Sequence, residues 1–201
     1  MAKANWVVVN PSSGSGNKTI NVSSRAEHSG RNSRSTVLTI TAANVEAKTV
    51  NVTQQGKPEF TNNNSDTATA AKGGQNVTIS GVSNSKKLTF SLGTGDLNIT
   101  LPTTYTAGGV STDNGSNITG DPGATAQYNW SIVINVAENT TISSMSRQIV
   151  VTDEGGNTDT CVLAQASGDA YLTVSKSAIE LTYQGTAVSF NVESNTSWTI
   201  S

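Results

Sequence analysis

The feature that most constrains the fold is the alternation of apolar and polar residues between Tyr171 and Ser201. Four short runs in this segment alternate with a period of two, which is the pattern of half-buried strands. The apolar positions are Leu172 and Val174; Ile179, Leu181 and Tyr183; Val188, Phe190 and Val192; and Trp198 and Ile200. Four such strands present one apolar face, and so small a sheet does not persist in water with that face uncovered. We therefore expect another segment to cover it.

Composition narrows the class of protein. Only 13% of the 201 residues are charged and the net charge is −2, so we expect neither a nucleic-acid partner nor a membrane surface. No apolar stretch approaches the length of a membrane span, and residues 1–5 carry no apolar signal region, so no signal peptide is predicted. Cys161 is the only cysteine, which excludes an intrachain disulfide and predicts a small buried side chain.

The rest of the chain continues the alternation, and the predicted fold class is all-β. We divide the sequence into three segments: residues 1–57, which we call the head, residues 58–168, which form a complete sandwich, and residues 169–201, which we call the tail. Within the central segment, the turn residues Asp153–Asn157 predict a hairpin. The Gly-, Ser-, Asn- and Thr-rich stretch Tyr105–Thr125 is predicted to be a long contact loop.

An internal repeat relates the segments. The head and the central segment both finish in a Val-rich strand closed by Gln and Gly, at Lys48–Gly56 and Thr160–Gly168. Upstream, Ile20–Val22 corresponds to Ile132–Val136. The central segment has earlier strands that the head lacks, whereas the tail has only the early strands. The head therefore corresponds to the C-terminal part of a sandwich and the tail to the N-terminal part.

Two motifs carry a resemblance to a known family. Residues Ser194–Ser201 read SNTSWTIS, and residues Asn5–Asn17 read NWVVVNPSSGSGN. They resemble consecutive segments of the BACON domain, an Ig-like β-sandwich of gut Bacteroidetes proteins and of their crAss-like bacteriophages. The resemblance covers the head and the tail and is weaker in residues 58–168. It implies tandem Ig-like β-sandwiches, with one complete central domain and one domain split between the two chain ends.

Three interpretations account for the incomplete head and tail. Head and tail pair within one chain, they pair between neighbouring subunits by strand exchange, or the sequence is an arbitrary fragment. We favour exchange, because self-closure needs a sharp turn at both linkers of a tandem array, whereas head-to-tail pairing needs none. The residues predicted to form the subunit joint are Trp6, Val7, Val9, Ile20 and Val22 in the head, and Leu172, Ile179, Leu181, Val188, Phe190, Val192, Trp198 and Ile200 in the tail.

We predict no catalytic, metal or cofactor site. His28 is the only histidine and lies in a polar stretch without a second ligand nearby. The carboxylates of Asp153, Glu154 and Asp159 lack the spacing of a calcium loop. No nucleophile, base and orienting acid form a recognisable set, so the chain is not predicted to be an enzyme.

The aromatic residues separate two functional classes. Trp6, Trp130 and Trp198 start or sit in alternating strands, which predicts core packing. Tyr105, Tyr171 and Tyr183 are better candidates for surface contact, as a carbohydrate-binding module would need, although their scatter defines no platform.

The resemblance implies a structural protein of a phage virion. We expect an auxiliary, or decoration, capsid protein whose partners are copies of itself and the major capsid protein or other virion proteins; a head-fibre or tail component is the nearest variant. The alternative is a carbohydrate-binding adhesion module that recognises mucin or host glycans.

Overall fold

The computed structural model describes residues 3–201, and this part of the chain is all-β. In chain order the strands are β1 (Val7–Asn10), β2 (Asn21–Ser24), β3 (Arg34–Ala42), β4 (Val45–Gln54), β5 (Thr61–Asn63), β6 (Thr67–Ala70), β7 (Gln75–Ser83), β8 (Leu88–Gly95), β9 (Thr104–Ala107), β10 (Val110–Asp113), β11 (Tyr128–Val136), β12 (Met145–Asp153), β13 (Thr158–Gln165), β14 (Leu172–Val174) and β15 (Val192–Ser194). A 3-10 turn, Pro122–Ala124, lies between β10 and β11. The predicted fold class is confirmed.

Strands β5–β13 form the central sandwich. One sheet has the order β10-β9-β11-β7-β5 and the other has the order β6-β13-β12-β8. Strand β6 runs parallel to β13, and the other pairs are antiparallel. This is the strand arrangement of an immunoglobulin-type sandwich, in which the first strand is shared between two facing sheets.

The core of the sandwich follows from the alternation in its longest strands. Along β11 every second side chain is buried, and the inward set includes Trp130 and Ile132. The Trp130 ring packs edge-to-face on Phe90 with ring centroids 5.2 Å apart. Cys161 on β13 is buried in the same core, as predicted from its apolar neighbours.

The prediction of a long contact loop at Tyr105–Thr125 is wrong for Tyr105–Asp113, whereas residues 114–125 form a connection that contains only a 3-10 turn and contacts the head. Strands β9 and β10 pair as a hairpin in the first of these stretches, and Tyr105 is only 3% exposed. Its hydroxyl accepts a hydrogen bond from the Leu88 amide (3.3 Å). Tyr105 is therefore a core residue and is not available for surface contact. The alternation of apolar residues does not predict this hairpin, because small polar residues occupy most of its positions.

The alternation of apolar residues predicts which side chains are buried better than it predicts which segments pair as strands. Leu97 and Ile99 are buried as predicted, yet the segment that contains them joins no ladder. Conversely, β6 was missed because it consists of Thr and Ala alone. The hairpin at Asp153–Asn157 is confirmed: the Asn157 amide donates to the Asp153 carboxylate (2.8 Å).

The head consists of two hairpins, β1–β2 and β3–β4. They meet where the Arg34 guanidinium lies 4.8 Å from the centre of the Trp6 ring, and Val7 is buried beside this contact. Further along β3 and β4, the apolar side chains of Ile40 and Val50 are exposed. The head is thus a sandwich that is closed at one end and open at the other.

The tail contains a single hairpin, β14–β15. The strands predicted at Ile179–Tyr183 and Trp198–Ile200 do not form in this chain, and of the run Val188–Val192 only Val192 belongs to a strand. The connection folds back on itself, since the Ser175 amide donates to Asn191 O (2.9 Å). The unformed strands have no neighbouring strand to pair with, which is the physical reason for the difference.

Candidate interaction surface

The contact between the head and the central sandwich, which we call the head joint, is organised by Asn84. This side chain is buried, and its Nδ2 donates to the carbonyl oxygens of Ser29 (3.3 Å), Lys57 (3.2 Å) and Pro58 (3.2 Å). Its Oδ1 accepts from the Phe60 amide (3.0 Å). One asparagine therefore ties a loop of the head and the linker to the sandwich that follows.

Arg31 extends the head joint to the connection between β10 and β11. Its guanidinium donates to Asn84 O (2.7 Å) and pairs with the Asp121 carboxylate (2.5 Å). Its amide donates to Gly123 O (2.8 Å). The hydrogen bond from the side chain to Asp121 raises the pKa of Arg31 above its ordinary value.

The contact between the central sandwich and the tail, which we call the tail joint, is organised by Asn195. Its Nδ2 donates to the carbonyl oxygens of Thr140 (3.1 Å) and Asp169 (2.9 Å), and its Oδ1 accepts from the Tyr171 amide (3.0 Å). Asp169 also forms an ion pair with Lys72. The tail hairpin is thereby fixed to the sandwich that precedes it.

The two joints are the same joint repeated. Each residue of the head joint has an equivalent in the tail joint 111 positions further along the sequence, and most of the hydrogen bonds recur between the equivalent residues. The equivalent pairs are Asn84 with Asn195, Ser29 with Thr140, Phe60 with Tyr171, Ser83 with Ser194, Gly30 with Thr141, Lys57 with Gly168, and His28 with Asn139. For example, Ser83 Oγ donates to Phe60 O (2.7 Å), and Ser194 Oγ donates to Tyr171 O (2.8 Å).

His28 has a structural part in this repeat. Its Nε2 donates to Asn32 O (2.7 Å), just as Asn139 Nδ2 donates to Ser143 O (2.8 Å) at the tail joint. Both side chains brace the loop that carries the acceptor carbonyl for the joint asparagine. The histidine is used as a hydrogen-bond donor within its own loop.

The tail is laid out as the start of another sandwich of the central kind. Leu172 lies opposite Ser194 in the tail hairpin, as Thr61 lies opposite Ser83 between β5 and β7. On β7 of the central sandwich, Val77 and Ile79 are core residues with 6% and 4% exposure. The equivalent tail residues, Val188 and Phe190, are 40% and 39% exposed. These core positions are present in the tail without the strands that would cover them.

The head supplies the kinds of strands that the tail lacks. Leu38 lies opposite Val50 between β3 and β4, as Ile149 lies opposite Cys161 between β12 and β13. The register makes Leu38 the inward residue, a choice between Val37 and Leu38 that the alternation had left open. Head and tail together contain equivalents of most strands of the central sandwich, although most of β8 and strand β10 have no equivalent in either segment.

The large apolar side chains that remain exposed are concentrated in these two segments. Among residues 3–201, seventeen of the twenty-one exposed large hydrophobic residues belong to the head or the tail. Of the predicted joint residues, those exposed are Ile20, Val22, Leu172, Ile179, Leu181, Val188, Phe190, Trp198 and Ile200; those half-buried are Trp6, Val9 and Val192; and Val7 is buried. The prediction of core packing is confirmed for Trp130 and wrong within this chain for Trp198, whose covering strands are missing.

The structure places the two joints at opposite ends of the central sandwich. The head joint uses the β7–β8 and β10–β11 connections, and the tail joint uses the β6–β7 turn and the β11–β12 connection. Strands β7 and β11 each run from one of these ends to the other. Within residues 3–201 no hydrogen bond joins head to tail, so the structure does not bring the two halves of the predicted joint together.

The joint asparagines were not predicted from the sequence. A usable signal existed in the triplets Ser83-Asn84-Ser85 and Ser194-Asn195-Thr196, which occupy equivalent places in the repeat. Because the chain is rich in Ser, Thr and Asn, such triplets are frequent, and the sequence alone does not indicate which of them form joints.

Groups with the potential for chemistry are few in the part of the chain that the structure describes. No set of three or more His, Cys, Asp or Glu residues there is placed to hold a metal ion. Burial raises the pKa of the Cys161 thiol above its ordinary value. Tyr183 is 94% exposed and Tyr171 is exposed, so these two, without Tyr105, are the tyrosines at the surface. No helix of residues 3–201 is long and apolar enough to cross a membrane.

No family model and no curated protein matches this chain. Among solved structures, a protein from Bacteroides thetaiotaomicron determined by NMR is 17% identical with a TM-score of 0.26, over 51% of this chain and 77% of that chain. Domains 4–9 of the surface layer protein SbsC are 12% identical with a TM-score of 0.34, over 88% of this chain and 33% of that chain. The chain thus spans about a third of the SbsC structure. Neither similarity identifies a family.

Proposed function

We propose that this chain is a non-enzymatic structural protein that assembles head to tail. The tail of one copy and the head of the next form a single Ig-like sandwich by strand complementation. The observation that carries the proposal is the pair of open half-sandwiches, complementary in their strands, held at opposite ends of a complete sandwich. Each chain then links two neighbours, and the assembly is a chain or a ring.

The energetics favour such a joint. A large apolar side chain contributes about 1.5–3 kcal/mol when it passes from water to a core. The tail exposes ten of them and the head exposes seven. Burial of the inward-facing members of this set in a shared core would offset an association cost of about 4–15 kcal/mol. The unpaired backbone around Ile179–Tyr183 gains hydrogen bonds in the same step, as in strand addition to a sheet edge.

We further propose that the assembly is part of a bacteriophage virion, as an auxiliary capsid protein. This step is supported by the resemblance of Ser194–Ser201 and Asn5–Asn17 to segments of the BACON domain of crAss-like phages. Subunits interlocked through a shared core would reinforce a shell, and the free surface of each central sandwich would face the major capsid protein. Detection of peptides of this chain in purified particles, in stoichiometric ratio to the major capsid protein, tests the assignment. Its absence from intact particles would reject the location but not the joint.

Two substitutions test the joint in the full-length chain. Val50→Asp places a carboxylate on the open face of the head, and Phe190→Asp does the same in the tail. Both residues are half-exposed in the single chain, so each variant is expected to fold. Each substitution is expected to weaken self-association at least about 100-fold, because a buried apolar contact worth about 2–3 kcal/mol is replaced by an unpaired charge.

Mixing the two variants gives the decisive result. The Val50→Asp chain keeps an intact tail and the Phe190→Asp chain keeps an intact head, so one functional joint remains between them. Analytical ultracentrifugation should show monomers for each variant alone and a 1:1 dimer for the mixture. A mixture that stays monomeric, while the wild type self-associates, would reject head-to-tail complementation.

A further inference from the structure

Ile142 is an unexplained apolar side chain at the surface of the central sandwich. It lies in the β11–β12 connection, is 49% exposed, and stands beside the loop residues that bind the tail. At the equivalent place in the head joint stands Arg31. The role of Arg31 therefore indicates what Ile142 faces in an assembly.

At the head joint, Arg31 and its neighbour hold the β10–β11 connection of the following sandwich. The amides of Arg31 and Asn32 donate to Gly123 O (2.8 Å) and Ala124 O (2.9 Å). The Arg31 guanidinium pairs with Asp121 of the same connection. These contacts join the head loop to the next sandwich in addition to those made by Asn84.

At the tail joint the corresponding donors are unused. Within residues 3–201 the amides of Ile142 and Ser143 donate no hydrogen bond, and the tail contains no segment equivalent to the β10–β11 connection. The head does contain one. It is the connection between β1 and β2, residues 11–20, which precedes β2 as the β10–β11 connection precedes β11.

The chemistry of this head connection matches Ile142. Residues 11–20 read PSSGSGNKTI and carry no carboxylate, whereas the β10–β11 connection carries Asp121. The cation at Arg31 and the anion at Asp121 are therefore both absent from the pair formed by Ile142 and residues 11–20. An arginine at position 142 would face no carboxylate, and a desolvated unpaired charge is costly. Apolar Ile142 and a loop whose only charged residue is the cation Lys18 are suited to each other, whereas an arginine at position 142 would face a like charge.

We infer that the β11–β12 connection binds residues 11–20 of a second copy of this chain. Ile142 packs against Pro11, and the amides of Ile142 and Ser143 donate to backbone carbonyls of that loop. This contact rests on the proposed strand complementation and adds a second element to the same interface. It sets the angle between successive sandwiches at the tail joint, as Arg31 and Asp121 do at the head joint.

The test introduces the missing charges one at a time. Ile142→Arg should raise the dissociation constant for self-association about tenfold or more, because the guanidinium loses water without gaining a partner. Val133→Arg is the matched control: Val133 is also 49% exposed and points outward from β11. The control should leave the dissociation constant within about twofold of wild type, since surface substitutions away from an interface have little effect.

Adding the anion should rescue the variant. Asn10-Pro11 precedes β2 as Asp121-Pro122 precedes β11, so Asn10→Asp supplies a carboxylate to Ile142→Arg in the next copy. The double variant should recover most of the lost affinity. In an Ile142→Asp chain, the same Asn10→Asp change should instead weaken association further, because two carboxylates then face each other.

The outcomes separate this contact from the complementation itself. If the wild type self-associates and Ile142→Arg behaves like Val133→Arg, the loop contact is wrong and the shared sandwich stands. If the wild type is monomeric at every concentration, both proposals fail. Thermal unfolding of each variant should match that of the wild type under monomeric conditions, because both substituted side chains are exposed in the single chain.

Discussion

Asn84 and Asn195 make equivalent hydrogen bonds in different surroundings, apart from the additional bond from Asn84 to Lys57 O. Asn84 is fully buried between the head and a complete sandwich, whereas Asn195 lies in the tail, where the covering strands are absent. An amide side chain suits both joints because it offers two donors and an acceptor at one point. The free-energy cost of removing it depends on how completely water is excluded from the groups that it leaves behind.

We expect Asn84→Ala to lower the free energy of unfolding by about 3 kcal/mol, because the buried Phe60 amide and several carbonyls lose their partner. Asn195→Ala should lower it by less than about 1 kcal/mol, because solvent replaces the lost bonds. Urea denaturation in the Phe190→Asp background, which prevents association, measures both values. Equal effects at the two positions would contradict the claim that only the head joint is fully formed in a single chain.

The two buried tyrosines make stability depend on alkaline pH. Burial raises the pKa values of Tyr105 and Tyr128 above the ordinary value of 10.0. Below that pH both tyrosines are protonated in the folded and in the unfolded chain, so they do not contribute to the pH dependence of the free energy of unfolding. Above it the unfolded chain releases protons that the folded chain retains, so the free energy of unfolding falls as pH rises.

Tyr128→Phe should reduce this alkaline loss. The variant loses the hydrogen bond from the hydroxyl to Ser85 O (2.9 Å), which costs about 1 kcal/mol at neutral pH. Between about pH 10 and pH 11 its free energy of unfolding should fall by up to about 1.4 kcal/mol less than that of the wild type. Chemical denaturation at several pH values gives both curves, and parallel curves would show that Tyr128 ionises equally in both states.

At the scale of elements, the alternation of apolar residues identified the long strands and the burial of their side chains. It identified β11, β12 and the hairpin after Val151, because their inward residues are large. It missed β6, β9 and β10, which are built mostly from Thr, Ser and Ala, and whose place depends on backbone pairing with neighbours. Pairing partners distant in sequence leave no local pattern.

The candidate joint could be predicted only in outline. The incomplete strand sets of head and tail were visible in the repeat, whereas the hydrogen bonds of Asn84 and Asn195 depend on loops that approach in space. The unpaired state of Ile179–Tyr183 has a related cause. We expect its alternation to form a strand in a completed sandwich, and within residues 3–201 it pairs with no neighbouring strand.

The linker that precedes the tail is tightly packed at Gly168. A Cβ at Gly168 would lie 2.3 Å from Asn139 O and 2.9 Å from Thr141 O, so Gly168→Ala must displace the loop that Asn195 binds. Gly73, in the neighbouring turn, has no atom within 4 Å of a Cβ and is the control. Hydrogen exchange should be at least about tenfold faster at residues 168–171 in Gly168→Ala, with β11–β13 unchanged. Unchanged exchange in this variant would show that the joint tolerates the displacement.

At the scale of the whole molecule, the chain is one complete sandwich with a half-sandwich fixed at each end. Because the two joints share most of their hydrogen bonds at equivalent residues, the step from head to central sandwich resembles the step from central sandwich to tail. In the proposed assembly, a tail completed by the next head repeats that step from copy to copy. Stability of the head and tail then depends on protein concentration, as it does for other proteins whose folding is coupled to association.

Engineered cysteines measure the completion most directly. In the central sandwich, Ala164 on β13 lies beside Thr69 on β6, and the equivalent residues are Thr53 in the head and Glu180 in the tail. Adjacent strands lie about 4.8 Å apart, within the range that a disulfide spans. A chain that carries Thr53→Cys and Glu180→Cys should therefore cross-link under mild oxidation. Thr53→Cys with Thr173→Cys is the control, because β14 corresponds to β5 in the opposite sheet.

Non-reducing electrophoresis of the oxidised protein gives the result. We predict a ladder of dimers, trimers and longer species for the Thr53–Glu180 pair and only monomer for the control, with native Cys161 inert because it is buried. A fast-migrating monomer with an internal disulfide would show that head and tail close within one chain. That species, or an absence of cross-links at any concentration, would contradict head-to-tail assembly.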